Sequence, residues 1–228
     1  MKVLASDFDL TLYVKDIDVV KKNIEAISRF MKRGNIFCII TGRNYSNIKV
    51  LLNEYKIPYH YLVCQDGAKI FDFNDFCFFT EYLSSDKIKY VVSIIEKYDF
   101  SYYLDDGYNK TDNINDCVKV VVLVNDRFED AKRMIKEFDN KKVYAYLSTK
   151  HVNIIDSSVN KKSALEKVLV HADCYKDDLY VIGDSVNDLE MLTAYQGGIM
   201  KEHSIELDDL PNRQYDTLYE YIEELEKN

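Results

Sequence analysis

Short apolar runs and helical stripes alternate from the first residues. Val3–Ser6 reads as a strand ending in Asp7. Across Asp18–Arg33 the apolar residues Val20, Ile24, Ile27 and Met31 recur at helical spacing, with Asp18 as the expected N-cap and Gly34 as the stop. Ile36–Ile40 is apolar throughout, as a strand buried on both faces requires. Ile48, Leu51, Leu52 and Tyr55 mark a second helix that halts before Pro58, and Tyr61–Cys64 a third strand. Strand–helix–strand–helix–strand order predicts a parallel sheet covered by helices on both faces.

The rhythm then changes. Lys69–Phe73 and Phe76–Thr80 form an expected hairpin across Asn74-Asp75, and a helix follows over Asp86–Tyr98. Ser101–Leu104 and Val118–Val124 read as strands around a polar loop, Asp105–Asp116; a helix over Phe128–Phe138 and strands Val143–Leu147 and Val152–Ile155 come next. Helix, two strands, helix, two strands is a two-layer unit with its own apolar surface. After Asp156 the first rhythm returns: a helix around Leu165–Ala172, a strand Leu179–Ile182, a helix Asn187–Ala194, a strand Gly198–Met200 and a last helix through Leu218–Leu225. The expected architecture is α/β: a doubly wound parallel-sheet core over 1–81 and 157–228, with an inserted α+β domain over 82–156.

Composition narrows the class. With 228 residues, 47% hydrophobic and 30% charged, the chain is a globular protein rather than a disordered one. Its longest apolar runs, such as Val120–Val124, are far shorter than a bilayer span, and two acids precede any signal-peptide-like segment. The 5 cysteines are odd in number and show no paired spacing, which fits a reducing cytosol and core packing. The net charge of −9 disfavours nucleic acid but leaves room for a small anion held by local cations or a metal. The four histidines show no ligand spacing.

Ligands of open parallel sheets bind beyond the carboxyl ends of the strands. Those ends carry Asp7, Asp9 and Thr11, then Thr41-Gly42-Arg43, then Gly183-Asp184-Ser185-Val186-Asn187-Asp188. Asp7 and Asp9, two residues apart in an extended chain, leave on one face. Carboxylates held so close resist joint ionisation without a cation, and oxygen donors with no His or Cys suit Mg²⁺. Asp184 is the expected further ligand.

These segments resemble the haloacid dehalogenase-like superfamily of phosphatases. Asp7–Thr11 matches its motif DxDxT, Thr41 its second-motif hydroxyl, Lys161 in Val159–Leu165 its third-motif lysine, and Gly183–Asp188 its motif GDxxND. An extra domain between the second and third motifs is similar to the Cof-type subfamily with a C2 cap. The resemblance implies an Mg²⁺-dependent phosphatase of small phosphate monoesters, such as sugar phosphates or a phosphorylated cofactor. Asp7 is then the nucleophile, forming an aspartyl-phosphate, and Asp9 the acid and base. The metal is held by Asp7, Asp184 and the backbone carbonyl of Asp9. Thr41, Gly42, Lys161 and Asn187 bind phosphate; Thr11 and Asp188 support these groups from behind, Asp188 holding a metal-bound water or orienting Lys161. Tyr108 and Asn109 are the expected substrate contacts from the cap. Departures from the family pattern are Leu10 in place of Gly, Lys162 beside the key lysine, Asp66-Gly67-Ala68 in place of Asn-Gly-Ala, and the lack of Asn-Ala within Met200–Ser204.

Each piece also has a plainer reading. Asp7 and Asp9 alone suit a turn, Thr41-Gly42 a loop with an N-cap, Arg43 a structural ion pair, and Asn187 with Glu190 a capping box. Lys161 and Lys162 oppose the helix dipole at a helix start, which points to a functional partner for one of them. Alternative functions are a phosphosugar mutase, which needs a basic cap where the loop Asp105–Asp116 is acidic, and a non-catalytic phospho-ligand binder, which should lack one of the catalytic groups.

Overall fold

The computed structural model describes residues 1–148 and 150–227. In chain order the elements are β1 (Val3–Asp7), α1 (Ile17–Lys32), β2 (Ile36–Ile40), α2 (Tyr45–Tyr55), β3 (Tyr61–Cys64), β4 (Lys69–Asp72), β5 (Cys77–Thr80) and α3 (Ser85–Lys97). They continue with β6 (Tyr102–Asp105), β7 (Lys110–Thr111), β8 (Lys119–Leu123), α4 (Phe128–Ile135), β9 (Val143–Leu147), β10 (His151–Asp156) and α5 (Lys161–His171). The chain ends with β11 (Leu179–Gly183), α6 (Leu189–Ala194), β12 (Gln196–Met200), β13 (Arg213–Tyr215) and α7 (Leu218–Lys227).

Eight strands form one sheet in the order β13-β12-β11-β1-β2-β3-β4-β5. It is parallel from β13 to β3 and antiparallel at β4 and β5. The two-residue alternation of side chains divides its core. Leu4, Phe37, Ile39 and Leu62 pack on Ile27 and Phe30 of α1, Ile48 of α2 and Ile222 of α7. Val3, Ala5, Cys38, Ile40 and Val63 face the other way, onto Leu165 and Val168 of α5 and Met191 of α6. The expected α/β fold with a doubly wound parallel sheet is therefore what the chain adopts.

The second sheet, β7-β6-β8-β10-β9, is wholly antiparallel. Val120, Val122, Val152 and Ile154 turn one of its faces to Val91 and Ile95 of α3 and Ala131 and Met134 of α4. The residues between them, Lys119, Val121, His151 and Asn153, turn the opposite face towards the carboxyl end of the large sheet, where they line a shared cavity.

Local details differ from the sequence reading. Asp16, not Asp18, caps α1: its carboxylate accepts from the Asp18 amide at 2.9 Å. The segment after β11 is not one helix from Asn187. A short 3-10 turn, Val186–Asp188, precedes α6, and the reciprocal cap joins Ser185 to Asp188 rather than Asn187 to Glu190. Strands β7 and β13 are too short to show a period. Among the described residues no helix is long and apolar enough to cross a membrane, and the five cysteines are free.

Candidate active site

Three parallel strands and one helix start bring the polar residues together. The end of β1 supplies Asp7, the end of β2 leads to Thr41-Gly42-Arg43, the end of β11 leads to Asp184 and Asp188, and α5 opens with Lys161. Asp7, Asp184 and Asp188 each offer an oxygen within 4.8 Å of the others, and all three are buried. Lys161 Nζ donates to Asp7 at 2.5 Å and to Asp188 at 2.6 Å. Thr11 Oγ1 donates to Asp184 at 3.1 Å. Asp188 also accepts from the backbone amides of Asp184 and Ser185, which fixes the carboxylate that holds Lys161.

One ammonium does not balance three buried carboxylates. Burial lifts the Asp7 carboxyl well above its ordinary range; Lys161 opposes the rise, and Asp188 and Asp184 add to it. Burial and then Asp188 push Asp184 up to about 6 against Lys161 and Thr11. Burial works to lower the Lys161 ammonium, but Asp188 and Asp7 outweigh it and hold the charge firmly. The cluster thus lacks positive charge and offers only oxygen donors, a set that fits a hard divalent cation.

Lys162 is half exposed and pairs with Glu166, so of the two lysines it is Lys161 that enters the site. Asp9 points away from the cluster. Its carboxylate is gripped by the Arg43 guanidinium, with Nε at 2.9 Å and Nη2 at 2.7 Å. The side chains that cluster are therefore Asp7, Asp184 and Asp188, without Asp9. Thr41 is buried, and its Oγ1 accepts from the Arg43 amide at 3.1 Å. Leu10 has φ +65° and is largely exposed, so a bulky residue bears a left-handed turn there.

Above the cluster lies a cavity of about 800 Å³. Asp7, Asp9, Leu10, Tyr13, Gly42 and Asn187 line it from the large sheet; Tyr103, Lys119, Val121, Tyr146, His151 and Asn153 line it from the small one. Tyr108 and Asn109 are not among the lining residues, which corrects the sequence reading. Tyr108 packs against Tyr45 and Phe71 under the Lys69 ammonium, and the Asn109 amide is tied to Asp106 in its own loop. The sequence reading missed Lys119 and Tyr146, and it left Asp66 without a role. Lys119 Nζ donates to Asp66 at 2.6 Å and to the Gly42 carbonyl at 2.9 Å; Tyr146 and Asn187 also donate to Asp66. A charged residue leading the apolar run Val120–Leu123 was the available signal for Lys119.

The fold has counterparts elsewhere. A phosphatase of the haloalkanoate enzyme superfamily from Bacteroides thetaiotaomicron superposes with a TM-score of 0.83 at 17% identity, covering 100% of this chain and 94% of that one. A haloacid dehalogenase-like hydrolase from B. subtilis gives 0.80 at 14%, covering 97% and 96%. These share the fold. In sequence, the 5-amino-6-(5-phospho-D-ribitylamino)uracil phosphatase YitU of Bacillus subtilis is 25% identical, over 90% of this chain and 87% of its own. The HMP-PP phosphatase of Yersinia enterocolitica is 21% identical, over 90% and 85%. The family model of haloacid dehalogenase-like hydrolases matches residues 4–115 and 100–206. With most of its length so matched, the chain belongs to the haloacid dehalogenase-like hydrolase family.

Proposed function

We propose that the protein is a phosphatase of small phosphate monoesters that works through an aspartyl-phosphate at Asp7, with Mg²⁺ as its metal. The observation that carries this reading is the convergence of Asp7, Asp184 and Asp188 on one point, with Lys161 bonded to two of them, beneath a cavity sized for a metabolite. The phosphatase names of the curated relatives support it.

The roles follow from position. One Asp7 oxygen attacks phosphorus while the bond from phosphorus to the ester oxygen breaks, leaving the phosphoryl group on Asp7. Asp9 gives its proton to the departing oxygen, then takes one from the water that cleaves the acyl phosphate and restores Asp7. In this structure Arg43 grips the Asp9 side chain through Nε and Nη2, so proton delivery requires the pair to part. Lys161, the Thr41 hydroxyl, Asn187 and the Gly42 turn bind the phosphoryl oxygens, where charge spreads in the transition state. Asp7, Asp184 and the Asp9 carbonyl would hold Mg²⁺, and Asp188 fixes Lys161. The metal supplies charge neutralisation between nucleophile and phosphate. Residues 82–156 act as a cap whose small-sheet face excludes water and contacts the leaving group.

Purified protein should release inorganic phosphate from a phosphate-ester panel with Mg²⁺, stop on chelation, and stop in Asp7→Asn. No turnover of any ester with Mg²⁺ present would refute the reading.

A further inference from the structure

Asp66 is the buried centre of the join between the two sheets. The backbone beneath it is strained: Gln65 and Asp66 have φ of +52° and +58°, and Gly67 follows at +117°. Two successive non-glycine residues in the left-handed region persist only where their surroundings over-determine them. The Gln65 amide donates to the Arg43 carbonyl and the Asp66 amide to the Thr41 carbonyl, both at 3.0 Å, and further contacts come from the Asp66 carboxylate. Lys119 at 2.6 Å and Tyr146 at 2.7 Å reach it from the small sheet, and the Asn187 amide at 2.9 Å from the large one. A Cβ on Gly42 would lie 3.2 Å from the same carboxylate, so the turn beside it must stay small.

The pairing bears on the charge of the cavity where the small sheet meets the Gly42 turn and Asn187. Among the described residues lining it, the small sheet contributes three ionisable groups besides tyrosines: Asp105, Lys119 and His151. Asp105 accepts from the Gln65 amide at 2.6 Å and the Asn44 amide at 2.9 Å, neutral partners that add no positive charge to this wall. Burial and then the nearby Lys150 lower the pKa of His151, which keeps the ring neutral. Lys119 is thus the small sheet's full positive charge, and Asp66 cancels it. From the large sheet, Arg43 is paired with Asp9 in this structure, and Lys15, which also lines the cavity, is solvent-exposed. The large sheet's end of the cavity is rich in functional charge; the small sheet presents no net cation to a second anionic group.

We propose that the Asp66–Lys119 pair sets the substrate's charge class, admitting phosphate monoesters with an uncharged leaving group and rejecting those whose leaving group carries its own negative charge. The inference rests on the phosphatase reading. Asp66 is a specificity-determining residue acting through Lys119. Asp66→Asn keeps the side chain's size and tolerates the positive φ; its one oxygen still accepts from Lys119 while its amide turns to Asn187, and the ammonium is left uncancelled. Within a few ångströms of an anion that charge is worth well over a factor of ten.

Phenyl phosphate and 4-carboxyphenyl phosphate differ by one leaving-group charge and provide the test. The wild type should favour phenyl phosphate in kcat/KM by at least tenfold. Asp66→Asn should narrow that ratio at least tenfold, and the double variant Asp66→Asn with Lys119→Met, again without net charge, should restore it. A ratio near one in the wild type, or equal loss on both esters in Asp66→Asn, overturns the inference. Calorimetric binding of the same two esters to the Asp7→Asn protein, with and without Asp66→Asn, separates the readings. Charge discrimination in binding without turnover in the wild type counts against the phosphatase reading alone; binding without discrimination, or none, counts against this one.

Discussion

Lys161 does with one atom what the site most needs. Buried, at the first position of α5, it holds Asp7 and Asp188 together. Lys161→Met leaves buried carboxylates unpaired, a change that costs about 3–5 kcal/mol. The variant should melt well below the wild type in metal-free buffer and turn over at least about a hundredfold more slowly with Mg²⁺, as loss of a transition-state charge partner does. Wild-type rates would remove Lys161 from the chemistry. Leu10 carries the opposite message. Its φ of +65° is costly for a branched side chain that is largely exposed and gains little from packing. Leu10→Gly should therefore match or exceed the wild type in stability, by up to about 1 kcal/mol, in a denaturant titration; a clear loss would mean that the Leu10 side chain has a packing role.

Asp66 gives a pH signature. Burial works to raise its carboxyl, but Lys119 and Lys161, with hydrogen bonds from Lys119 and Tyr146, bring it below the ordinary 3.8. A depressed folded-state pKa contributes stability at every pH above the unfolded value, and the contribution is lost as pH falls through the folded one. The wild-type melting temperature should thus drop more steeply than that of Asp66→Asn below about pH 4. Parallel slopes would show that the carboxylate is not held as described. DxDxT, the second-motif Thr and GDxxND made the inner residues legible in the sequence. Lys119 and Tyr146 were not, because they reach Asp66 across 53 and 80 residues of chain and only the folded contact joins them.

Among the elements, α5 shows how a helix start becomes a tool. Asn160 accepts from the Ser163 amide at 2.7 Å, and Ser163 Oγ accepts from the Asn160 amide at 3.0 Å, a reciprocal cap that fixes Lys161 one residue later. Gly67 lies against it: a Cβ there would meet the Asn160 carbonyl at 2.6 Å. Asn160→Ala should cost about 1 kcal/mol. It should lower kcat more than it raises KM, since it loosens a charge partner and not the cavity wall; an effect on KM alone would contradict that assignment. The parallel strands were legible because Ile36–Ile40 and Leu179–Ile182 are apolar without alternation, as burial on both faces demands. The start of α6 was misread because Asn187 and Glu190 also fit a capping pattern. Ser185 prevailed, and the short turn it opens bends Asp188 back to Lys161.

At the scale of the molecule, two sheets enclose one cavity, and the contacts that join them include several polar pairs beside apolar ones. Besides Asp66, the Asn44 and Gln65 amides hold Asp105, and the Tyr45 amide donates to the Gly107 carbonyl at 2.8 Å. Polar joins of this kind can part and re-form, as the proposed cap would need in order to admit substrate and release product. The sequence order of strands and helices announced an inserted unit, but not which of its faces meets the site. That depends on register: pairing of Tyr103 with Val121, of Val121 with Asn153 and of Asn153 with Tyr146 puts all four in one row across the small sheet. The loop bearing Tyr108 and Asn109 lies off that row.

The most direct test of the whole account is to mix the protein with a phosphate ester and Mg²⁺, quench in acid within the first turnover, and locate any added phosphoryl group by peptide mass spectrometry. One phosphoryl group on the peptide containing Asp7, absent in Asp7→Asn, is the expected result. Phosphate released with no phosphorylated protein at any quench time, or a phosphoryl group on a different residue, would contradict it.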